Sequence, residues 1–296
     1  MDPHLLRTYL TVARLASFSE AARTLGYTQS AVSQHIAALE ADLGLPLLSR
    51  RPVRPTPAGE RLLEHAGSLL LRLDAARADL ARFAAAPRET LSLVAAPLAL
   101  APRTLAVLPA TGVTLRTLAR DEVPVAVATG VADLGLVDGI VAPSDPLRLP
   151  DVAPYTARRV AEEPLAVVLP AAHPLAGRPG LRLADLVDAR WLDAPEAGFP
   201  LDRLRAAHAG PAGHGFRPAL RYEGTDARTV AALAAAGHGL ALLPLPAAAG
   251  VPGAAAVPLV APRLVHRTEL LCPGGEPTGP AAELIARLDA TPPATR

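Results

Sequence analysis

Gln29 and Gln34 are the only two glutamines in the chain. They sit beside Ser30 and Ser33 at the start of a stretch whose apolar residues Val32, Ile36, Leu39 and Leu43 recur at helical spacing. On a wheel those apolar residues form an inner stripe. Gln29, Ser30, Ser33 and Gln34 share the other face near the N-terminal end. Uncharged side chains that donate and accept, in the first turns of a helix, are equipped to read base edges in a major groove. Glutamine can bond adenine N6 and N7 together. Arg50, Arg51 and Arg54 follow and are suited to hold phosphates alongside. On spacing alone, a solvated polar helix face explains the same residues equally well.

Other chemistry finds little support. Beyond residue 87 the only serines are Ser92 and Ser144, and neither sits in a G-x-S-x-G elbow. There is no P-loop and no G-x-G-x-x-G. His208 and His214 lie in a Gly-rich stretch without acidic or Cys neighbours, which argues against a metal site. Cys272 is the only cysteine, so an intrachain disulfide and a CxxC motif are excluded; it reads as a small core residue. The expectation is a protein that is not an enzyme and carries no cofactor and no metal.

The elements that must position the polar face are short helices. Leu6, Tyr9, Leu10 and Ala13 mark a first helix. Ser17 or Ser19 caps a second, with Ala21, Ala22 and Leu25. Gly26-Tyr27 breaks it, Thr28 caps the third, and Gly44 fits the left-handed stop. Two helices about a Gly-containing turn make a helix-turn-helix. Residues 49–55 then suit a short extended wing. Thr56-Pro57 restarts a helix that no proline interrupts until about residue 86. Leu62, Ala66, Leu69, Leu73, Ala76, Leu80 and Phe83 alternate at spacings of four and three, a heptad seam. A helix of roughly 45 Å favours a coiled-coil partner, and packing on its own domain is the alternative.

Residues 84–89 read as a linker. Beyond them short apolar runs alternate with helical stretches. Strands are expected at 91–96, 113–118, 133–137, 165–169, 189–192, 219–222 and 240–243, and helices at 181–187, 200–209 and 226–236. This half is therefore α/β. Half of all residues are apolar but only nine are aromatic, so the cores must be built from Leu, Val and Ala. All 29 basic residues are Arg, with no Lys and no Asn, a skew that weakens arguments from Arg counts. The net charge of +1 excludes nucleic-acid binding by bulk charge alone and demands a small, well-placed surface. No apolar run is strong enough for a membrane span, and Met1-Asp2-Pro3-His4 does not open a secretory signal. A cytoplasmic location is expected.

Residues 17–48, SFSEAARTLGYTQSAVSQHIAALEADLGLPLL, closely resemble the LysR-type transcriptional regulators. Arg50 with Thr56-Pro57-Ala58-Gly59 matches the end of that family's winged helix-turn-helix. His173-Pro174-Leu175 within 167–176, and 237–244, resemble its effector domain more weakly. The resemblance implies a DNA-binding domain at 1–58, a dimerising linker helix and hinge at 59–89, and at 90–296 an effector domain like a type 2 periplasmic binding protein. That domain would have two α/β subdomains flanking a cleft. It also implies double-stranded DNA with an interrupted palindrome, RNA polymerase, and a homodimer or homotetramer as partners. Thr28, Gln29, Ser30, Ser33, Gln34, Arg50, Arg51 and Arg54 are the expected DNA contacts.

The sequence departs from the family in two places. The wing is a couple of residues shorter between Arg50 and Thr56, which places Arg51 and Arg54 at phosphates rather than in a minor groove. The segment 97–122 is short and Pro-rich, so the first effector subdomain is expected to be trimmed. Ligands of open α/β sheets bind beyond strand C-termini. The expected effector contacts are therefore Ala96, Pro97, Asp138, Ala194, Pro195 and Thr225, with Thr225 equally suited to cap the next helix. Ala95-Ala96-Pro97-Leu98 lacks the hydroxyl that family members use for a carboxylate. The expected ligand is mainly apolar or aromatic, or there is none. The rival reading is a cytoplasmic solute-binding module whose N-terminal helices serve assembly.

Overall fold

A computed structural model describes residues 1–84, 89–152, 155–207, 215–274 and 277–290. The expected linker falls mostly, and His208 and His214 fall entirely, outside them. The chain divides into two compact units, Met1–Leu80 and Ala81–Arg296.

In the first unit, α1 (Pro3–Leu15) is capped by Asp2, whose carboxylate accepts the His4 N–H. α2 (Phe18–Leu25) is capped by Ser17, which accepts the Glu20 N–H at 3.2 Å; Ser19 is left for another task. Gly26, at φ +71°, supplies the left-handed turn a β-carbon would strain. α3 (Gln29–Leu43) then starts on Thr28, whose hydroxyl accepts the Ala31 N–H at 3.1 Å, and stops at left-handed Gly44. The three helices close on a core that includes Leu6, Tyr9, Val12, Ala22, Val32 and Ile36. β1 (Leu48–Arg50) and β2 (Val53–Pro55) form an antiparallel wing in which Ser49 faces Arg54.

α4 (Pro57–Ala84) has 28 residues and is about 42 Å long. Thr56 caps it by accepting the Gly59 N–H, and donates its hydroxyl to the Pro46 carbonyl at 2.7 Å. Gly59 is where α4 crosses the wing base: a β-carbon there would lie 2.2 Å from the Leu47 carbonyl oxygen and 2.6 Å from the Tyr9 hydroxyl. The heptad seam divides. Ala66 is fully buried and Leu62 half-buried against the head's own core, joined by Leu70 from outside the seam. These turns serve the fold of the head. Further along, Leu69, Leu80 and Phe83 are 45%, 71% and 85% exposed; Ala76 is also exposed and Leu73 half-buried.

The second unit is built on one mixed sheet. Its strands are β3 (Leu91–Ala95), β4 (Val113–Thr117), β5 (Leu134–Val141), β6 (Tyr155–Pro170), β7 (Leu181–Arg182), β10 (Ala241–Pro244), β11 (Ala254–Ala261) and β12 (Val265–Pro273). The order is β4-β3-β5-β12-β6-β11-β7, with β10 also on β6. β8 (Arg190–Asp193) and β9 (Arg217–Arg221) form a parallel pair, tied beside β10 by bonds between Leu192 and Leu240 and between Leu240 and Arg190. The helices are α5 (Pro102–Ala106), α6 (Glu122–Ala128), α7 (Leu201–Ala207), α8 (Ala227–Ala235), α9 (Leu245–Ala248) and α10 (Gly279–Ala290).

The 16-residue β6 joins two halves. Tyr155 to Pro164 pair with β12, and the residues after them with β10 and β11. One core lies under β3, β5 and β12, and two lie around the later half of β6. Sequence periodicity missed β12 because its middle, His266-Arg267-Thr268-Glu269, is buried yet polar. The helix expected at 181–187 is instead β7 and a 3-10 turn, Leu183–Leu186. Leu183 and Leu186, three apart, eclipse on such a turn and both face the core.

Candidate nucleic-acid interface and ligand cleft

The third helix and the wing together expose a group of polar side chains. Gln29, Ser30 and Gln34 are exposed on α3, Ser33 is half-exposed, and Arg50, Arg51 and Arg54 are exposed on the wing. Thr28 is exposed too, but its oxygen is engaged as the cap. Ser19 at the start of α2 donates its hydroxyl to the Gln29 amide oxygen at 3.1 Å, which ties that oxygen to α2. The Arg50 guanidinium stacks 5.7 Å over the Phe18 ring, so the first wing arginine is held against α2. Glu40, at the far end of α3, accepts the N–H groups of Leu47 and Leu48 at 2.8 and 3.2 Å. That pair of bonds sets the wing relative to α3. Ser19 and Glu40 escape a motif search because each acts through a contact ten or seven residues away in sequence.

The second unit holds a cleft of about 530 Å³ between β5, the loop after it, α7 and the loop before α6. Val137, Ile140, Leu147, Leu149, Phe199 and Leu264 give it apolar walls. Arg267, buried on β12, fastens one wall. Its guanidinium donates to the Glu162 carboxylate and to the carbonyls of Pro143 and Asp145.

Asp138, expected from the sequence, lines this cleft and is buried on β5. Arg120 meets it through Nε at 3.2 Å and Nη2 at 3.3 Å. His266 Nε2 lies 2.8 Å from the same carboxylate, and its Nδ1 is 3.5 Å from Glu163, an ion-pair contact across the β12–β6 register. The Arg120 main-chain N–H donates to Glu196, just after Ala194-Pro195. Burial alone would push the Asp138 carboxyl up; His266 and Arg120 outweigh it and hold it down at about 2. Burial would likewise lower His266, but Asp138 and Glu163 raise it and favour the imidazolium.

The other expected effector contacts lie elsewhere. Ala96 and Ala194 bury their methyls in the cores of the two halves, so neither offers a side chain to this cleft. Half-buried Pro97 starts a 3-10 turn. Pro195 and Thr225 do not line it, and Thr225 does not cap α8. Asp226 does, accepting the Arg228 and Thr229 N–H groups. The Asp226 carboxylate, already at the cap position, takes these bonds in place of the hydroxyl one residue earlier. Among the described residues no group of His, Cys, Asp and Glu could hold a metal ion. No described helix is long and apolar enough to cross a membrane.

A helix-turn-helix with a polar second helix, a two-stranded arginine wing and a separate mixed-sheet unit enclosing a cleft define a winged-helix DNA-binding regulator with a ligand-binding module. Residues 3–60 match the model for the bacterial regulatory helix-turn-helix protein of the lysR family, and residues 84–288 match the LysR substrate binding domain. The chain belongs to the LysR family of DNA-binding transcriptional regulators.

Over 83 residues it is 46% identical to the HTH-type transcriptional regulator HdfR of Yersinia enterocolitica, covering 27% of this chain and 28% of that one. HdfR of Escherichia coli O139:H28 matches at the same identity, with 30% of its length covered. The chain thus spans under a third of the length of these curated relatives. Among solved structures, CbnR, a LysR family transcriptional regulator, is 24% identical with a TM-score of 0.54, over 98% of this chain and 99% of that one. An OxyR C206 mutant of Corynebacterium glutamicum is 26% identical with a TM-score of 0.51, over 97% and 89%. CbnR has also been solved in complex with its target DNA, and that chain has a TM-score of 0.53 at 24% identity.

Proposed function

We propose that this regulator acts as a homodimer, or a pair of dimers, whose two α3 helices read an interrupted palindrome in a promoter. Residues 1–58 bind DNA, 59–89 dimerise and hinge, and 90–296 take an effector and contribute to assembly. The exposed run Leu69, Leu80 and Phe83 supports a second copy on α4. The cleft around Asp138 is the effector site, and its occupancy biases the two halves joined by β6. Contact with RNA polymerase and residence with the DNA in the cytoplasm follow from that role.

The observation that carries the reading is Gln29, exposed on α3 with its amide oxygen bonded by Ser19 of α2. Gel shift and footprinting on the promoter region upstream of the protein's own gene, followed by genome-wide binding, locate the operator. Gln29→Ala should weaken that operator by about 1–3 kcal/mol and leave nonspecific DNA nearly unaffected. Equal loss on both DNAs would remove α3 from base reading. No specific site anywhere in the genome would favour the solute-binding alternative.

A further inference from the structure

The charges lining the cleft cancel. They are Arg120, Arg148 and Arg203 against Asp121, Asp138 and Asp145. Four of the six, Asp121, Asp145, Arg148 and Arg203, are exposed, so water screens their pull on a ligand. The inner wall holds the pair Arg120 and Asp138, whose side chains are 13% and 0% exposed. Behind them, His266 and Glu163 extend the chain without adding net charge when the imidazole is protonated.

Arg120 spends Nε and one N–H of Nη2 on Asp138. A guanidinium has five N–H donors, so others remain for the cleft. A carboxylate entering here would meet a cation already neutralised and would sit close to a buried aspartate that cannot move aside. It would leave water without a countercharge, which costs far more than an uncharged acceptor loses. The remaining lining is mostly apolar, and the volume suits a molecule with one or two rings.

We propose that the cleft binds an uncharged, mainly apolar molecule with a carbonyl-type acceptor received by Arg120, and that Asp138 is the residue that excludes carboxylates. This rests on the reading of the cleft as the effector site.

The test is isothermal titration of the full-length protein with matched probes: phenylacetamide against phenylacetate, and indole-3-acetamide against indole-3-acetate. The wild type should bind each amide at least tenfold more tightly than its acid. Asp138→Asn keeps the shape and a hydrogen bond to Arg120 but releases its charge, and should reverse the order. An acid that binds the wild type as tightly as its amide overturns the ligand class; if Arg203→Ala or Arg148→Ala then weakens it, the cleft itself stands. A wild type that prefers amides while Asp138→Asn does so too overturns the role of Asp138. If the variant does not fold, the wild-type order decides the ligand class and an Asp138→Glu variant the exclusion, since it keeps the charge and should keep the amide preference. No binding of any probe by the wild type, or binding that survives unchanged in the cleft-filling variant Ala207→Trp, overturns both the proposal and the effector site.

Discussion

Replacing Leu80 and Phe83 by alanine should dissociate the protein without unfolding it. Both residues stand in water in the single chain, 71% and 85% exposed, so neither supports the protomer's own core. Substitutions at such positions change protomer stability by about 0.5 kcal/mol or less. Burying a whole leucine or phenylalanine stabilises by about 1.5–3 kcal/mol, so the exposed fractions over two protomers represent roughly 5–9 kcal/mol of contact. Alanine keeps about a third of that surface. The loss is then roughly 3–6 kcal/mol, or two to four decades in dimer Kd at about 1.4 kcal/mol per decade. Sedimentation equilibrium over a thousandfold range of concentration measures it, with far-ultraviolet circular dichroism of the dilute variant as the check on folding. Ala66, buried in the head's own core, marks the other regime: Ala66→Glu should unfold the head rather than merely separate chains. A double variant that sediments with the wild-type concentration dependence would show that this stripe is not the contact and that the area argument was applied to the wrong surface.

Arg54→Ala should lower affinity on every DNA sequence and reduce the slope of log K against log salt by about one, read by fluorescence titration at several salt concentrations; an unchanged slope removes Arg54 from the phosphates. Gly59→Ala places a methyl against the Leu47 carbonyl and the Tyr9 hydroxyl, and should destabilise the head by about 1–3 kcal/mol or more, abolishing operator binding while probe titration of the cleft is retained. In thermal melts against pH, folded His266 holds its proton more tightly than the unfolded chain does. Its stabilisation is complete below about pH 6.5 and fades as pH rises through the raised value. Asp138 contributes the opposite limb: its stabilisation is present above about pH 4 and is lost as pH falls toward its depressed value. Asp138→Asn should flatten both limbs; a variant with the wild-type profile would place the titrating groups elsewhere.

The head was legible because each of its parts has a local cause. Ser17, Thr28 and Gly44 punctuate helices through contacts within a few residues, and the stripe of Val32, Ile36 and Leu39 has a period that can be read directly. The same locality explains what was missed. Ser19 can cap a helix or brace Gln29, and only the fold, which brings α2 and α3 together, decides for the latter. The α4 seam repeats evenly from Leu62 to Phe83, yet the first turns pack on the head and the later ones do not. A heptad pattern states which residues share a stripe and not what covers each turn. In the second unit the rule that ligands lie beyond strand ends selected Ala96 and Ala194, whose small side chains turned out to be core. It also selected Asp138, which the structure places within β5 rather than beyond its end, buried against Arg120 and His266.

β12 is the element where pattern and fold disagree most, and the disagreement is informative. A central strand paired on both sides ought to be apolar, but this one buries His266, Arg267, Thr268 and Glu269 in succession. Buried charges are costly unless paired, and replacing such pairs with apolar residues is often neutral or stabilising. Stability of the sheet therefore gives no reason for them. Their partners do: Arg267 fastens the loop that forms one wall of the cleft, and His266 links Asp138 to Glu163 where β6 passes from one half of the sheet to the other. An apolar β12 would leave the Asp138 carboxylate with Arg120 alone and would release the wall. The polar strand is thus understood as the device that holds the cleft's charge and shape together.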